Sequence, residues 1–113
     1  MKLWIDDARQ EPPDWRRARD ARQAQAYLSA YPIEEVSLDH DMGRGMNGLD
    51  LVRWMIDRKL VPGRVTIHSI NPVGAARMAT ELADAGYDFT LRPFQPPQRL
   101  LPPPSPGPPP VRS

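Results

Sequence analysis

The stretch "VSLDHDMGRGMNG" (residues 36–48) decides the fold. Val36, Ser37 and Leu38 read as the end of a strand, Asp39-His40-Asp41 stand at its tip, and Gly43, Gly45 and Gly48 make the next turn pliable. A helix then starts at Asn47 or Gly48 and runs through "LDLVRWMIDRKL", where Leu49, Val52, Ile56 and Lys59/Leu60 recur at helical spacing with Met55 beside them. A strand that ends in acid and hands over to a helix is half of a βαβ unit. The start of the chain repeats the pattern: "KLWIDD" (2–7) alternates, is mostly apolar, and ends on Asp6 and Asp7.

Working outward, "ARQEPPDW" is a loop, because Pro12-Pro13 forbid an ordinary helix. Trp15–Arg19 reads as a very short strand. Asp20 caps a helix over "ARQAQAYLSA", with Ala21, Ala24 and Leu28 on one face, and Pro32 ends it. Glu35–Asp39 is a strand and "VPG" stops the helix after it; Arg64–His68 is a β-branched strand. "SINP" turns into a helix over 73–85, which Pro72 opens, Gly86 closes, and Ala75, Met78, Leu82 and Ala85 anchor. "YDFTL" (87–91) is the last strand, followed by Arg92-Pro93. The order β, short β, α, β, α, β, α, β predicts an α/β fold on a mostly parallel five-stranded sheet with right-handed crossovers.

Ten prolines lie between Pro93 and Pro110, so residues 98–113 read as a polyproline-like or disordered tail and residues 1–97 as one domain. The net charge is +1. Without Arg99 and Arg112 it is 13 bases against 14 acids, so no strong overall field recruits DNA non-specifically. No cysteine is present, which excludes disulfides and thiolate metal sites. "MKLWIDDARQ" carries acid where a leader peptide carries an apolar run, and no apolar run reaches membrane-spanning length. The expectation is a cytoplasmic protein with no membrane contact.

Ligands of parallel sheets bind beyond the carboxyl ends of the strands. That rim gathers Asp6 and Asp7, Asp39 and Asp41, His68 with Ser69 and Asn71, and Arg92. Converging carboxylates repel unless a cation or proton intervenes, and an all-oxygen set favours Mg²⁺ or Mn²⁺. Arg92 matches two phosphate oxygens, Ser69 and the free N–H groups of the 73–85 helix add donors, and His68 moves a proton near neutral pH. The competing view is plain: acids at strand ends often cap turns or face water.

"WIDD", "SLDHDMG", the polar end of "TIHS" and "RP" resemble the phospho-receiver fold of two-component signalling. That resemblance implies a flavodoxin-like, receiver-like sheet. Asp6 and Asp7 then match the acidic metal-binding pair, Asp39 the phosphoacceptor, Ser69 the hydroxyl residue and Arg92-Pro93 the Lys-Pro. Met42 and Gly48 fit the same pattern. Two departures stand out: "EPPDW" replaces the first helix, and no helix follows Pro93. "LWIDDARQEPPDW", "VSLDHDMG" and "IHSINPVG" make the chain more similar to the cyclic-phosphate processing receiver domains, over residues 2–86. That family's name implies metal-dependent hydrolysis of cyclic phosphate or phosphoester ends of nucleotides or RNA, in RNA repair. In this reading Asp6, Asp7, Asp39 and Asp41 hold Mg²⁺, His68 and Asp39 are catalytic, and Ser69, Asn71 and Arg92 bind phosphate. A cyclic nucleotide or an RNA 2′,3′-cyclic phosphate end is the substrate. The alternatives are a receiver phosphorylated on Asp39 and a non-catalytic protein-binding module.

The same resemblance places all three legible helices on one side of the sheet. Trp4 and Trp15 are expected in the core. Trp15, Phe94, Leu100 and Leu101 are expected to form a thin lid over the other, partly uncovered side. Apolar sheet left exposed there predicts a homodimer or a protein partner.

Overall fold

The computed structural model describes residues 1–42 and 45–93. Its elements are β1 Lys2–Ile5, β2 Trp15–Ala18, α1 Ala21–Ala30, β3 Glu35–Leu38, α2 Gly48–Arg58, β4 Arg64–Ser69, α3 Pro72–Asp84 and β5 Thr90–Pro93. The last strand starts later than the sequence suggests. The Tyr87 N–H closes α3 on the Leu82 carbonyl at 2.9 Å and Phe89 packs on the core, so pairing with β4 begins at Thr90. The readings placed on Gly43, on Phe94, Leu100 and Leu101, and on the tail at 98–113 lie outside the described residues.

Local chemistry sets the helix ends. The Gln23 N–H donates to Asp20 Oδ1 at 2.8 Å, Asn47 and Asp50 cap each other reciprocally, and the Gly74 N–H donates to Asn71 Oδ1 at 3.0 Å. Caps of this kind are each worth about 1 kcal/mol. Gly86, at φ +87°, follows the last turn of α3 as a left-handed residue where a Cβ would be strained. Ala85 caps that helix and is exposed, not inward.

The sheet is parallel throughout, in the order β2-β1-β3-β4-β5. The connections β2→β3, β3→β4 and β4→β5 all step in one direction. Right-handed crossovers therefore lay α1, α2 and α3 on one face. Only β1→β2 steps the other way, and its connection is the loop through Pro12 and Pro13. Leu3, Ile5, Val36, Leu38, Val65 and Ile67 meet Ala24, Leu28, Val52, Met55, Met78 and Leu82 between sheet and helices, all at 4 % exposure or less. Each large aliphatic side chain buried this way contributes about 1.5–3 kcal/mol.

The opposite face differs from the expectation. Strand alternation turns Lys2 and Trp4, Trp15 and Arg17, Glu35 and Ser37, Arg64, Thr66 and His68, and Thr90 and Arg92 toward it. Trp4 and Trp15 are half-buried there instead of joining the core. Among the described residues no helix covers this face, yet it is polar, not apolar. The reason is the period of two: each strand spends its aliphatic residues on the helix side, so the premise of a bare apolar sheet fails.

Candidate functional site

The carboxyl ends of β1 and β3 lie side by side. The Asp39 N–H donates to the Ile5 carbonyl at 3.1 Å, and the Asp6 N–H to the Ala18 carbonyl at 3.0 Å. The ladder thus runs one residue past each strand and fixes both aspartates. Gly48 locks the arrangement from the helix side. Its N–H donates to the His40 carbonyl at 2.8 Å, and a Cβ there would collide with the Asp39 carbonyl oxygen.

Asp6 is fully buried and hydrogen-bonded at both oxygens. Oδ1 accepts the backbone N–H groups of Ala8 and Arg9, both at 2.8 Å. Oδ2 lies 3.2 Å from Arg9 Nη1 and 3.0 Å from His68 Nε2. Burial pushes this carboxyl up, but the hydrogen bonds from His68, the Arg9 and Ala8 backbone and the Arg9 side chain outweigh it and hold the group far below the usual carboxylate range. Asp39 behaves oppositely. Burial raises it, the neighbouring Asp6 charge raises it further, and His68, Arg9 and the His40 N–H only partly offset them. One aspartate is thereby a settled anion and the other an anion held at a cost.

His68 stands behind Asp6, not on the rim. Its ring is 3 % exposed and stacks on Trp4 at 3.9 Å and 7°. Nδ1 lies 2.6 Å from Ser37 Oγ, so the ring is fixed at both nitrogens. Nε2–H faces the Asp6 carboxylate, and Nδ1 and the Ser37 hydroxyl share the second hydrogen bond. His68 stands at the end of β4 as expected, but the lateral order β1-β3-β4 folds its ring inward over Ser37 and Trp4 instead of leaving it on the rim.

Asp6, Asp7 and Asp39 converge, each offering an oxygen within 4.8 Å of the others'. Asp7 is exposed and completes the set from outside. Asp41 is not in that group. It lies past the end of β3, is exposed, and its Oδ1 sits 2.8 Å from His40 Nδ1 and 3.4 Å from Asn71 Nδ2. Asn71 caps α3, and its N–H donates to the buried Ser69 Oγ at 3.0 Å. Arg92 is exposed on the open face, in register with His68.

Sequence reading missed Arg9. Nη1 of this residue reaches Asp6 at 3.2 Å and Asp39 at 3.5 Å, bridging the two acids. Its signal was local: Asp6 and Arg9 stand three apart on a turn that Asp6 itself ties. Ser37 and Trp4 were also missed as partners of His68, although alternation puts all three on one face.

The strand-end acids, the single-sided helices and the loop in place of a first helix agree with one more observation. A family model described as "Cyclic-phosphate processing Receiver domain" matches residues 1–84. The chain belongs to that family. A comparison with curated proteins finds no match. Among solved structures, this receiver domain is similar to a CheY-like response regulator receiver domain protein from Methanospirillum hungatei JF-1, at 18 % identity, 88 % of this chain, 86 % of the other and TM-score 0.59. It is similar to NtrX from Brucella abortus at 25 % identity and TM-score 0.58, over 83 % of this chain but only 24 % of NtrX. A phosphorylated cyanobacterial phytochrome response regulator, RcpA, matches at 16 % identity, 80 % of this chain, 78 % of the other and TM-score 0.55. These likenesses establish the receiver fold.

The acid cluster of this receiver domain fits a divalent cation. Three oxygens from separate side chains converge, no soft ligand is among them, and the Asp39 charge is only partly offset by Arg9.

Proposed function

We propose that this cyclic-phosphate processing receiver domain hydrolyses cyclic phosphate or phosphoester ends of nucleotides or RNA, in RNA repair. The observation that carries it is the convergence of Asp6, Asp7 and Asp39, with Arg9 between two of them. Asp6, Asp7 and Asp39 would hold Mg²⁺ or Mn²⁺, which supplies Lewis acidity toward a phosphoryl oxygen. Asp39, whose carboxyl holds its proton more readily than usual, either accepts a proton from the water that attacks phosphorus while the P–O ester bond breaks and its oxygen leaves, or attacks phosphorus itself, displacing the ester oxygen to give an acyl phosphate that water then hydrolyses. Arg9 offers its guanidinium to the phosphate oxygens. Asn71 Nδ2, facing Asp41, is the amide assigned to phosphate, together with Arg92. The Ser69 hydroxyl serves through Asn71, whose N–H it accepts. His68 holds Asp6 in place in this reading and does not touch substrate.

The second reading is a phospho-accepting receiver. It is favoured by the fold likeness, which is to signalling receivers, and by Asp39 at the end of the central strand. One experiment separates the two. The protein is incubated with Mg²⁺ and either 2′,3′-cyclic phosphate ends or a small phosphoryl donor. Turnover that Asp39→Asn abolishes supports the hydrolase. A stable phosphoryl adduct on Asp39 without turnover replaces it with the receiver.

A further inference from the structure

The open sheet face has a pattern of its own. Register aligns its side chains in rows across the strands. One row runs Trp15, Lys2, Glu35, Arg64; the next runs Arg17, Trp4, Ser37, Thr66, Thr90; His68 and Arg92 follow. Two indoles stand on the β1–β2 half, edge to face with centroids 6.1 Å apart. On the β3–β5 half, a groove of about 380 Å³ is lined by Glu35, Arg64, Thr66, Asp88, Thr90 and Arg92.

Charge is segregated here. Of the 13 bases and 14 acids in residues 1–93, strand alternation turns four bases (Lys2, Arg17, Arg64 and Arg92) and one acid (Glu35) to this face, and Asp88 lines its groove as a second acid. A chain near neutrality therefore presents one basic sheet face, and net charge alone hides it. The face also joins the acidic rim physically: Arg17 Nε donates to the Asp6 carbonyl at 3.1 Å, and Trp4 stacks on the histidine that holds Asp6.

We propose that this open face binds single-stranded nucleic acid and leads its end to the acidic rim. Only the delivery of the end rests on the phosphoester reading of the rim; the binding does not. Basic side chains neutralise phosphates, the hydroxyls of Thr66 and Thr90 leave that part of the sheet flat and polar, and Trp15 offers an aromatic surface for a base. A duplex fits less well, since stacking on Trp15 needs an unpaired base.

The test is fluorescence anisotropy of a labelled single-stranded RNA of about ten nucleotides with plain hydroxyl ends, titrated with the full chain in the absence of divalent cations. Binding is expected, weakening steeply with salt. Trp15→Ala should weaken it about tenfold and Arg64→Glu about fivefold, while Arg77→Glu on α3 should not change it. Arg64 is exposed, so its reversal keeps the test valid if Trp15→Ala does not fold. No binding by wild type, or equal binding by wild type and Arg64→Glu, overturns the proposal. Sedimentation showing a dimer that Arg64→Glu dissociates would assign the face to a second copy and overturn it too. No strand binding by the wild type beside its intact turnover of a cyclic mononucleotide sinks this surface and leaves the proposed hydrolase standing. Strand binding that Arg64→Glu weakens, without turnover of any substrate, supports the surface and removes the chemistry.

Discussion

His68 Nε2 and Asp6 Oδ2 lie 3.0 Å apart, 62 residues apart in sequence and both nearly excluded from solvent. Their contact ties β4 to β1 across β3, with Ser37 on the far nitrogen. It makes the anchor of the acid cluster a long-range, buried polar chain.

Breaking that chain should cost stability before activity. His68→Ala leaves Asp6 and Ser37 buried without their partner, and the expected loss is about 2–4 kcal/mol. Urea unfolding at neutral pH measures it. A loss near zero would show that the ring is not the anchor.

The two aspartates should respond to pH with opposite signs. The folded Asp6 carboxyl is depressed, so its contribution is fully present above the ordinary carboxylate pKa of 3.8 and is lost as pH falls below it. The folded Asp39 carboxyl is raised, so the folded state binds more protons and stability falls as pH rises from 3.8 through the raised value. Asp39→Asn should therefore raise the melting midpoint at pH 7 without divalent cation, and Asp6→Asn should lower it. Thermal melts across pH 3–8 for both variants check the signs.

Adding Mg²⁺ or Mn²⁺ should raise the melting midpoint of the wild type by binding the folded state, and do so far less in Asp39→Asn. Equal shifts would place the cation elsewhere.

Arg9 competes with a cation for Asp6 and Asp39. Arg9→Gln should tighten Mg²⁺ binding several-fold while lowering turnover of a cyclic phosphate. Calorimetric titration reads the first and a turnover assay the second. Weaker Mg²⁺ binding in the variant would mean that Arg9 shapes the site instead of competing for it.

Gly48→Ala should cost about 1–3 kcal/mol, because its Cβ meets the Asp39 carbonyl and His40 backbone, which cannot give way cheaply. Chemical denaturation measures the loss, and the Mg²⁺-induced shift in the same variant reports whether Asp39 moved.

What was legible in the sequence was local. Alternation and helical spacing mark the strands and helices, Asp20, Asn47 and Gly86 mark helix ends, and the acids sit where strands stop. The order of strands and helices was enough to predict the parallel sheet, and the acids at strand ends the convergence of Asp6, Asp7 and Asp39, though Asp41, expected with them, stays outside. Depth and side were not legible. Trp4, Ser37 and His68 carry no mark of being neighbours; the lateral order β1-β3-β4 makes them so and buries a histidine that strand-end position alone would expose. Arg9 closes back over the acids only because Asp6 ties its turn and Asp39 arrives beside it from β3. The polar character of the open face likewise follows from which way each strand is rolled in the sheet. Periodicity reports the repeat of a strand, whereas neighbours across a sheet are set by crossover direction and register, which join residues too distant in sequence for any local pattern to record.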